Sequence, residues 1–190
     1  SGNPADFENY SDLVLTYIDK EAATMLVKSY SANDFKVINN ETPTDIRNYG
    51  NAIGALFIDY SAPHFENELI VLQRATENND PKELNKLAAN ILAYEKARIA
   101  LLKIAVPKTF LPDHLTLTNA IETVRTGIES MKLTFSNPIK AVAGLRDYPS
   151  AADNLLPLLQ SIAGGLEASG VSFAQTESGK QFINIVKYNE

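Results

Sequence analysis

Apolar residues recur along this chain at helical spacing. Ile46, Tyr49, Ile53, Leu56 and Tyr60 follow one another in steps of three and four, so they share one face of a helix. Thr42 and Pro43 open it: Thr is a good cap, and Pro lacks an N–H where none is used. Asp45 puts a negative charge near the positive end of the helix dipole. Pro63 disfavours helical backbone at Ala62, so this helix should end near Ser61. A second helix is expected from about Pro63 to Thr76, with Phe65, Leu69 and Leu72 inward. The turn formers of residues 77–80 follow. Asp80 and Pro81 should then cap a third helix reaching about Ala105, where Pro107 stops it. Its expected inward stripe is Leu84, Ala88, Ile91, Leu92, Ile99 and Leu102, with Lys82, Lys86, Lys96, Arg98 and Lys103 on its other sides. The cleanest pattern comes next, in strict alternation of four and three: Phe110, His114, Leu117, Ile121, Val124, Ile128, Met131 and Phe135. Pro112-Asp113 marks the start of that helix, and Asn137-Pro138 ends it and begins another.

From Pro138 to Ser169, Leu155, Leu159, Ile162 and Leu166 are periodic, but Pro149 and Pro157 lie inside the pattern. An interior proline removes a backbone hydrogen bond and costs roughly 3 kcal/mol. A break near Tyr148 and a kink before Pro157 are therefore expected. Gly164-Gly165 weakens the late part, and Gly170 should terminate it. Residues 5–30 read as a helix with Phe7, Tyr10, Val14, Tyr17 and Met25 roughly on one side. Asp34 to Asn40 suits a loop or a short extended piece. Phe182 to Val186 (FINIV) has strand propensity, but with no second convincing strand to pair with, a short helix is expected there. Short connections between long helices favour antiparallel neighbours. The expected fold is all-α: an up-and-down antiparallel helical bundle of five to seven helices with a Pro-kinked late helix, forming one domain over residues 1–190.

Composition agrees with a folded domain and narrows the chemistry. The chain has 190 residues, 45% of them hydrophobic and 21% charged, enough apolar content to bury a core. No apolar run approaches the roughly 18–20 residues that span a bilayer. The absence of cysteine excludes disulfides, thiolate nucleophiles and cysteine-based metal sites. It fits an exported bacterial protein and a cytosolic one equally. Ser1-Gly2 in place of an initiator Met reads as the remnant of a removed tag, with residues 1–4 a flexible end. The natural chain is then expected to extend upstream of Asn3, into a signal peptide, a membrane anchor or another domain.

The net charge of −6 is uneven. Residues 1–80 carry 5 Lys/Arg and 13 Asp/Glu, residues 81–110 carry 6 and 2, and residues 111–190 carry 6 and 8. An acidic first segment beside a basic helix suggests complementarity within the chain. The overall sign argues against nucleic acid as a partner, since that needs a dense basic footprint. The basic helix itself reads as a solvated face partly neutralised by the acidic segment.

Few residues offer chemistry. His64 follows Pro63 at a helix start and should be solvated. His114 lies on the apolar stripe, where a core histidine with one satisfied hydrogen bond is the ordinary reading. If it were catalytic, Glu95 or Asp113 would be the partner. Glu-x-x-His is absent, so a di-iron bundle site is not expected. Glu66 and Glu68 are two apart and point in different directions on a helix. Glu95 is the plausible inward carboxylate, paired with Lys or Arg. No EF-hand loop, Gly-x-Ser-x-Gly or phosphate loop occurs, and no metal or cofactor is expected. The eight Tyr and eight Phe are mostly core material. Tyr49, Tyr60, Tyr94 and Tyr148 place hydroxyls at helix interfaces, where some could line a ligand groove.

Three segments taken together carry a resemblance: Arg47-Asn48-Tyr49-Gly50-Asn51-Ala52; Val106-Pro107 with His114-Leu115 and Asn119-Ala120; and Asn137-Pro138 with residues 141–148 (AVAGLRDY). They resemble an uncharacterised group of predicted exported or membrane-anchored helical proteins of candidate-phylum bacteria, over roughly residues 36–148. The resemblance implies an extracytoplasmic setting, periplasmic or cell-surface, and no activity. His114, Asn119 and Tyr148 are the candidates for a polar or functional contact. The expected function is a non-enzymatic interaction or assembly module of a bacterial cell envelope, with an unknown protein partner and an upstream membrane anchor. The alternative is a small-ligand or lipid-binding bundle, with a cavity left beside the Pro-kinked region.

Overall fold

A computed structural model describes residues 4–24, 27–60 and 66–188, with the side chains of residues 4–11, 60 and 188 left aside. The fold is all-α apart from one small parallel strand pair. Helix α1 spans Pro4–Thr24 and α2 Pro43–Tyr60. At the start of α2, the Thr42 hydroxyl accepts from the Asp45 amide at 3.2 Å, and the Asp45 carboxylate accepts from the Thr42 amide at 2.9 Å. This is the reciprocal box that the sequence invites.

Helix α3 spans Glu68–Glu77, capped by Asn67, whose side chain accepts from the amides of Leu69 and Ile70. The stretch from Pro63 to Phe65, with His64, lies outside the described residues. The inward face of α3 is Glu68, Val71 and Ala75; Leu69, expected inward, is exposed. A left-handed Asn79 and the Asp80 cap lead into a 3-10 turn, Pro81–Lys86, before α4, Leu87–Leu101.

Helix α4 ends four residues before the expected limit. Pro107 holds Val106 extended, and Ala105–Pro107 forms strand β2, parallel to β1 at Lys36–Ile38 with Val37 opposite Val106. The short extended piece allowed within residues 34–40 is β1, while its partner β2 was not foreseen.

Helix α5 spans Leu111–Met131, and its inward row is the one read from the sequence, with Phe135 beyond its end and half exposed. Asn137 caps α6, Pro138–Gly144. The chain bends at residues 145–147, and α7 runs from Tyr148 to Ala168 with Pro157 inside it. Gly170 closes this region with a φ of +72°, a conformation natural to glycine. Residues 178–188 form α8, so FINIV is helical as expected. Among the described residues, no helix is long and apolar enough to cross a membrane.

Two groups of buried side chains make the core. One gathers Tyr49, Ile53, Leu101, Phe110, Ile162, Leu166 and Phe182, among others, between α2, α4, α5, α7 and α8. The other gathers Val71, Leu84, Leu87, Val124, Ile128, Met131 and Tyr148. Tyr94 and Leu155 pack against both. Helix α8 comes very close to α2: a Cβ on Gly54 would lie 2.2 Å from the Ser178 carbonyl oxygen. Arg47 and Asn51, one turn apart on α2, both bond the Glu177 carboxylate, with Arg47 gripping it at 2.7 and 2.8 Å. Those bonds and the Ala174 amide pull the Glu177 carboxyl down to about 2. The Arg47–Ala52 segment is thus a seat for the end of the chain.

Candidate ligand pocket

The two buried polar centres of the interior differ in construction. The first is His114 on α5. It is fully buried, with its Nε2 3.1 Å from the Leu101 carbonyl oxygen and its Nδ1 3.2 Å from the Tyr49 hydroxyl. A carbonyl can only accept, so Nε2 carries the proton and Nδ1 accepts from Tyr49. Phe35 meets the ring edge-on at 5.2 Å. Burial pushes the imidazole down to about 4, opposed by the Leu101 hydrogen bond. At neutral pH the ring is an uncharged core member that ties the end of α4 to α2. Neither Glu95 nor Asp113 is a partner of His114. Asp113 accepts from the Ser161 hydroxyl at 2.6 Å, and Glu95 pairs with Arg98 and Arg125.

Asn119 also has a structural role. Its Oδ1 accepts from the Tyr30 amide at 2.7 Å and its Nδ2 donates to the Tyr30 carbonyl at 3.2 Å. These bonds fasten the segment before β1 to α5. Tyr30 is further held by Arg98, which donates to its hydroxyl. Arg98 belongs to an ion-pair chain along α4 and α5, in which Arg125 meets Glu122 at 2.8 Å and Glu129 at 2.5 Å. Glu95 does pair with arginine, as its position suggests, but it is partly exposed; the inward carboxylates are Glu122 and Glu68. The basic side chains of α4 and the turn before it find most of their partners nearby. Lys86 bonds Glu83 at 2.6 Å, and from the acidic first segment only Glu66 reaches it, at 4.0 Å.

The second buried centre is built around Glu68, at the start of α3. Its residue is 9% exposed. The Tyr148 hydroxyl donates to Oε1 at 2.8 Å, and the Asn90 side-chain amide donates to Oε2 at 3.2 Å and to the Glu66 carbonyl at 2.9 Å. Burial and the Glu68 carboxylate both raise the Tyr148 hydroxyl. Burial, with a smaller contribution from Glu68, pushes that of Tyr94 up to about 12.

Beside this centre the helices do not close. A pocket of about 370 Å³ lies between α2, α4, α5 and α7. Its walls are Ile53, Leu56 and Phe57 from α2, Ala93 and Ala97 from α4, Leu117 and Ile121 from α5, and Leu155 and Leu159 from α7. Glu66, Asn67, Glu68, Asn90 and Tyr94 supply the polar groups of its lining, Glu66 and Asn67 being exposed. The pocket exists because α4 presents Leu87, Asn90, Tyr94, Ala97 and Leu101 inward. At Ala97 and Ala93 it offers only methyl groups to the space between the other helices. Of the row expected inward, Leu84 is buried and Ile91 and Leu102 pack against the core, while Ala88, Leu92 and Ile99 are exposed.

Of the three candidates named from the sequence, Tyr148 therefore adjoins the pocket through Glu68, while His114 and Asn119 are engaged elsewhere. Glu68 and Asn90 were not foreseen. The signal was available for Asn90: it stands in a row of steps three, four, three and four with Leu87, Tyr94, Ala97 and Leu101. Among the described residues, no group of acidic or histidine side chains is placed to hold a metal ion. The chain was compared with protein-family models, curated proteins and solved structures, and none of the three gave a match.

Proposed function

We propose that this domain binds a small apolar or amphiphilic molecule between its helices. The pocket carries the reading: a concave, largely apolar space with a few polar groups converging at one end is the usual form of a small-molecule site. Its volume is near the lower end of the usual range of roughly 300–1,000 Å³. A ligand of about a dozen non-hydrogen atoms suits it, at roughly 30 Å³ each.

Titration with octanol, followed by amide chemical shifts or calorimetry, tests the reading. Octanol is expected to bind saturably and to shift residues of α2, α4, α5 and α7. Ala97→Leu places three more carbons in the space. Each displaced methylene removes about 0.8 kcal/mol of burial, so affinity should fall at least roughly tenfold while the fold persists. Failure of octanol to bind the unaltered protein sinks the reading.

A second reading, an interaction or assembly module of a bacterial cell envelope, is supported by a different feature. Leu13, Val14, Leu15 and Tyr17 on α1, and Ile139 and Val142 on α6, are all about half exposed. Exposed apolar side chains gathered on packed neighbours suit a protein partner. Sedimentation velocity over a concentration series checks self-assembly, and a monomer throughout removes it.

A further inference from the structure

The polar lining of the pocket centres on the Glu68 carboxylate, with Asn90, Asn67 and the Tyr94 hydroxyl beside it. Glu68 is buried, yet its carboxylate contacts only two neutral donors, Tyr148 and Asn90, and no described cation pairs with it. Two donors leave lone pairs unused on a carboxylate, which can accept about four hydrogen bonds. Both hydrogen bonds from the Asn90 amide nitrogen are committed to protein, and no described residue donates to its Oδ1. Two neighbouring acceptors are already engaged. The Glu66 carboxylate is turned to Arg74 at 2.6 Å, and the Asn67 side chain caps α3. Among the described residues, no Lys, Arg or His lines the pocket. A buried carboxylate without a counter-charge carries a desolvation cost. The N-terminus of α3 offsets part of that cost.

We infer that the ligand is an amphiphilic cation, an ammonium head on an apolar body, with the head at Glu68 and Asn90 and the body between α2, α4, α5 and α7. The inference rests on the ligand-binding reading above and specifies the ligand's class. An ammonium brings up to three donors and the missing charge to a carboxylate with acceptor capacity left over. A carboxylate head of the same length would meet Glu68 as a like charge.

The test is a matched series on the intact protein at neutral pH and modest salt: octylammonium, octanol and octanoate, each titrated by calorimetry. Octylammonium should bind tightest and octanoate weakest, differing by at least roughly tenfold. Glu68→Gln should bring the charged pair to within about threefold of each other, as the lost term is electrostatic. If octanoate binds as tightly as octylammonium, the head-group assignment is overturned while the pocket reading stands. If none of the three binds, both fall. The series on the unaltered protein decides these outcomes even if Glu68→Gln does not fold.

Discussion

His114 is fully buried and Glu68 nearly so, both at helix interfaces, and each side chain takes part in two hydrogen bonds. Around His114 the account closes. One ring nitrogen donates to Leu101, the other accepts from Tyr49, and aromatic rings fill the remaining sides. Around Glu68 it stays open, because acceptor capacity is left over and the adjoining space is empty of protein atoms. Burial of a polar group is therefore a poor guide to function by itself. Unused hydrogen-bonding capacity beside unfilled volume is the better guide, and only Glu68 combines the two.

The largest expected effect lies in the closed centre. His114→Ala removes a fully buried ring and leaves the Leu101 carbonyl and the Tyr49 hydroxyl without their partner. The cost should be about 3–5 kcal/mol in denaturant unfolding at neutral pH. The same experiment repeated across pH sharpens the point. His114 in the fold is pushed down to about 4, below its ordinary 6.5. Between those values the unfolded chain binds a proton that the folded chain does not. Stability is then undiminished above pH 6.5 and declines as pH falls through that window, by up to about 3 kcal/mol. In His114→Ala this component of the slope should be gone. An unchanged slope in the variant would mean that the imidazole is not held neutral, and the contrast between the centres would weaken.

The two centres were unequally visible in the sequence. His114 stood in a row of apolar residues spaced so regularly that its burial followed from the pattern. Phe110, Leu117, Val124 and Ile128 each proved buried with it. The capped starts at Thr42, Asp80 and Asn137 were equally clear, because a side-chain acceptor before a helix acts locally. Helix α4 was misphased. Leu92 and Ile99 are large and apolar and pulled the expected stripe toward themselves, yet they face outward. The face turned inward holds Asn90, Tyr94 and two alanines with Leu87 and Leu101, a row that pattern reading scores as weak. A helix face that borders a cavity is weak in this sense, since small and polar residues are what leave the space. Sequence periodicity thus finds packed faces better than pocket faces. Strand β2 was missed for another reason. Three residues of β2 mean little until β1, some seventy positions earlier, lies beside them.

The smallest expected effect compares the two centres directly, through the same substitution in each. Tyr49→Phe and Tyr148→Phe each delete one hydroxyl that donates to a buried acceptor, with almost no change in volume. In the closed centre nothing replaces the donor, so His114 Nδ1 is left orphaned, at a cost of about 1–3 kcal/mol. In the open centre the acceptor adjoins a pocket large enough for water, and a water molecule can take the place of the phenol at a cost of roughly 0.5–1 kcal/mol. The intrinsic bond from a neutral hydroxyl is stronger to a carboxylate than to an imidazole nitrogen, so bond strength alone orders the pair the other way. Unfolding free energies of the two variants at neutral pH separate these cases. A larger loss for Tyr49→Phe means that access to solvent governs the cost. A larger loss for Tyr148→Phe means that Glu68 is as sealed as His114, and that the space beside it does not reach the carboxylate.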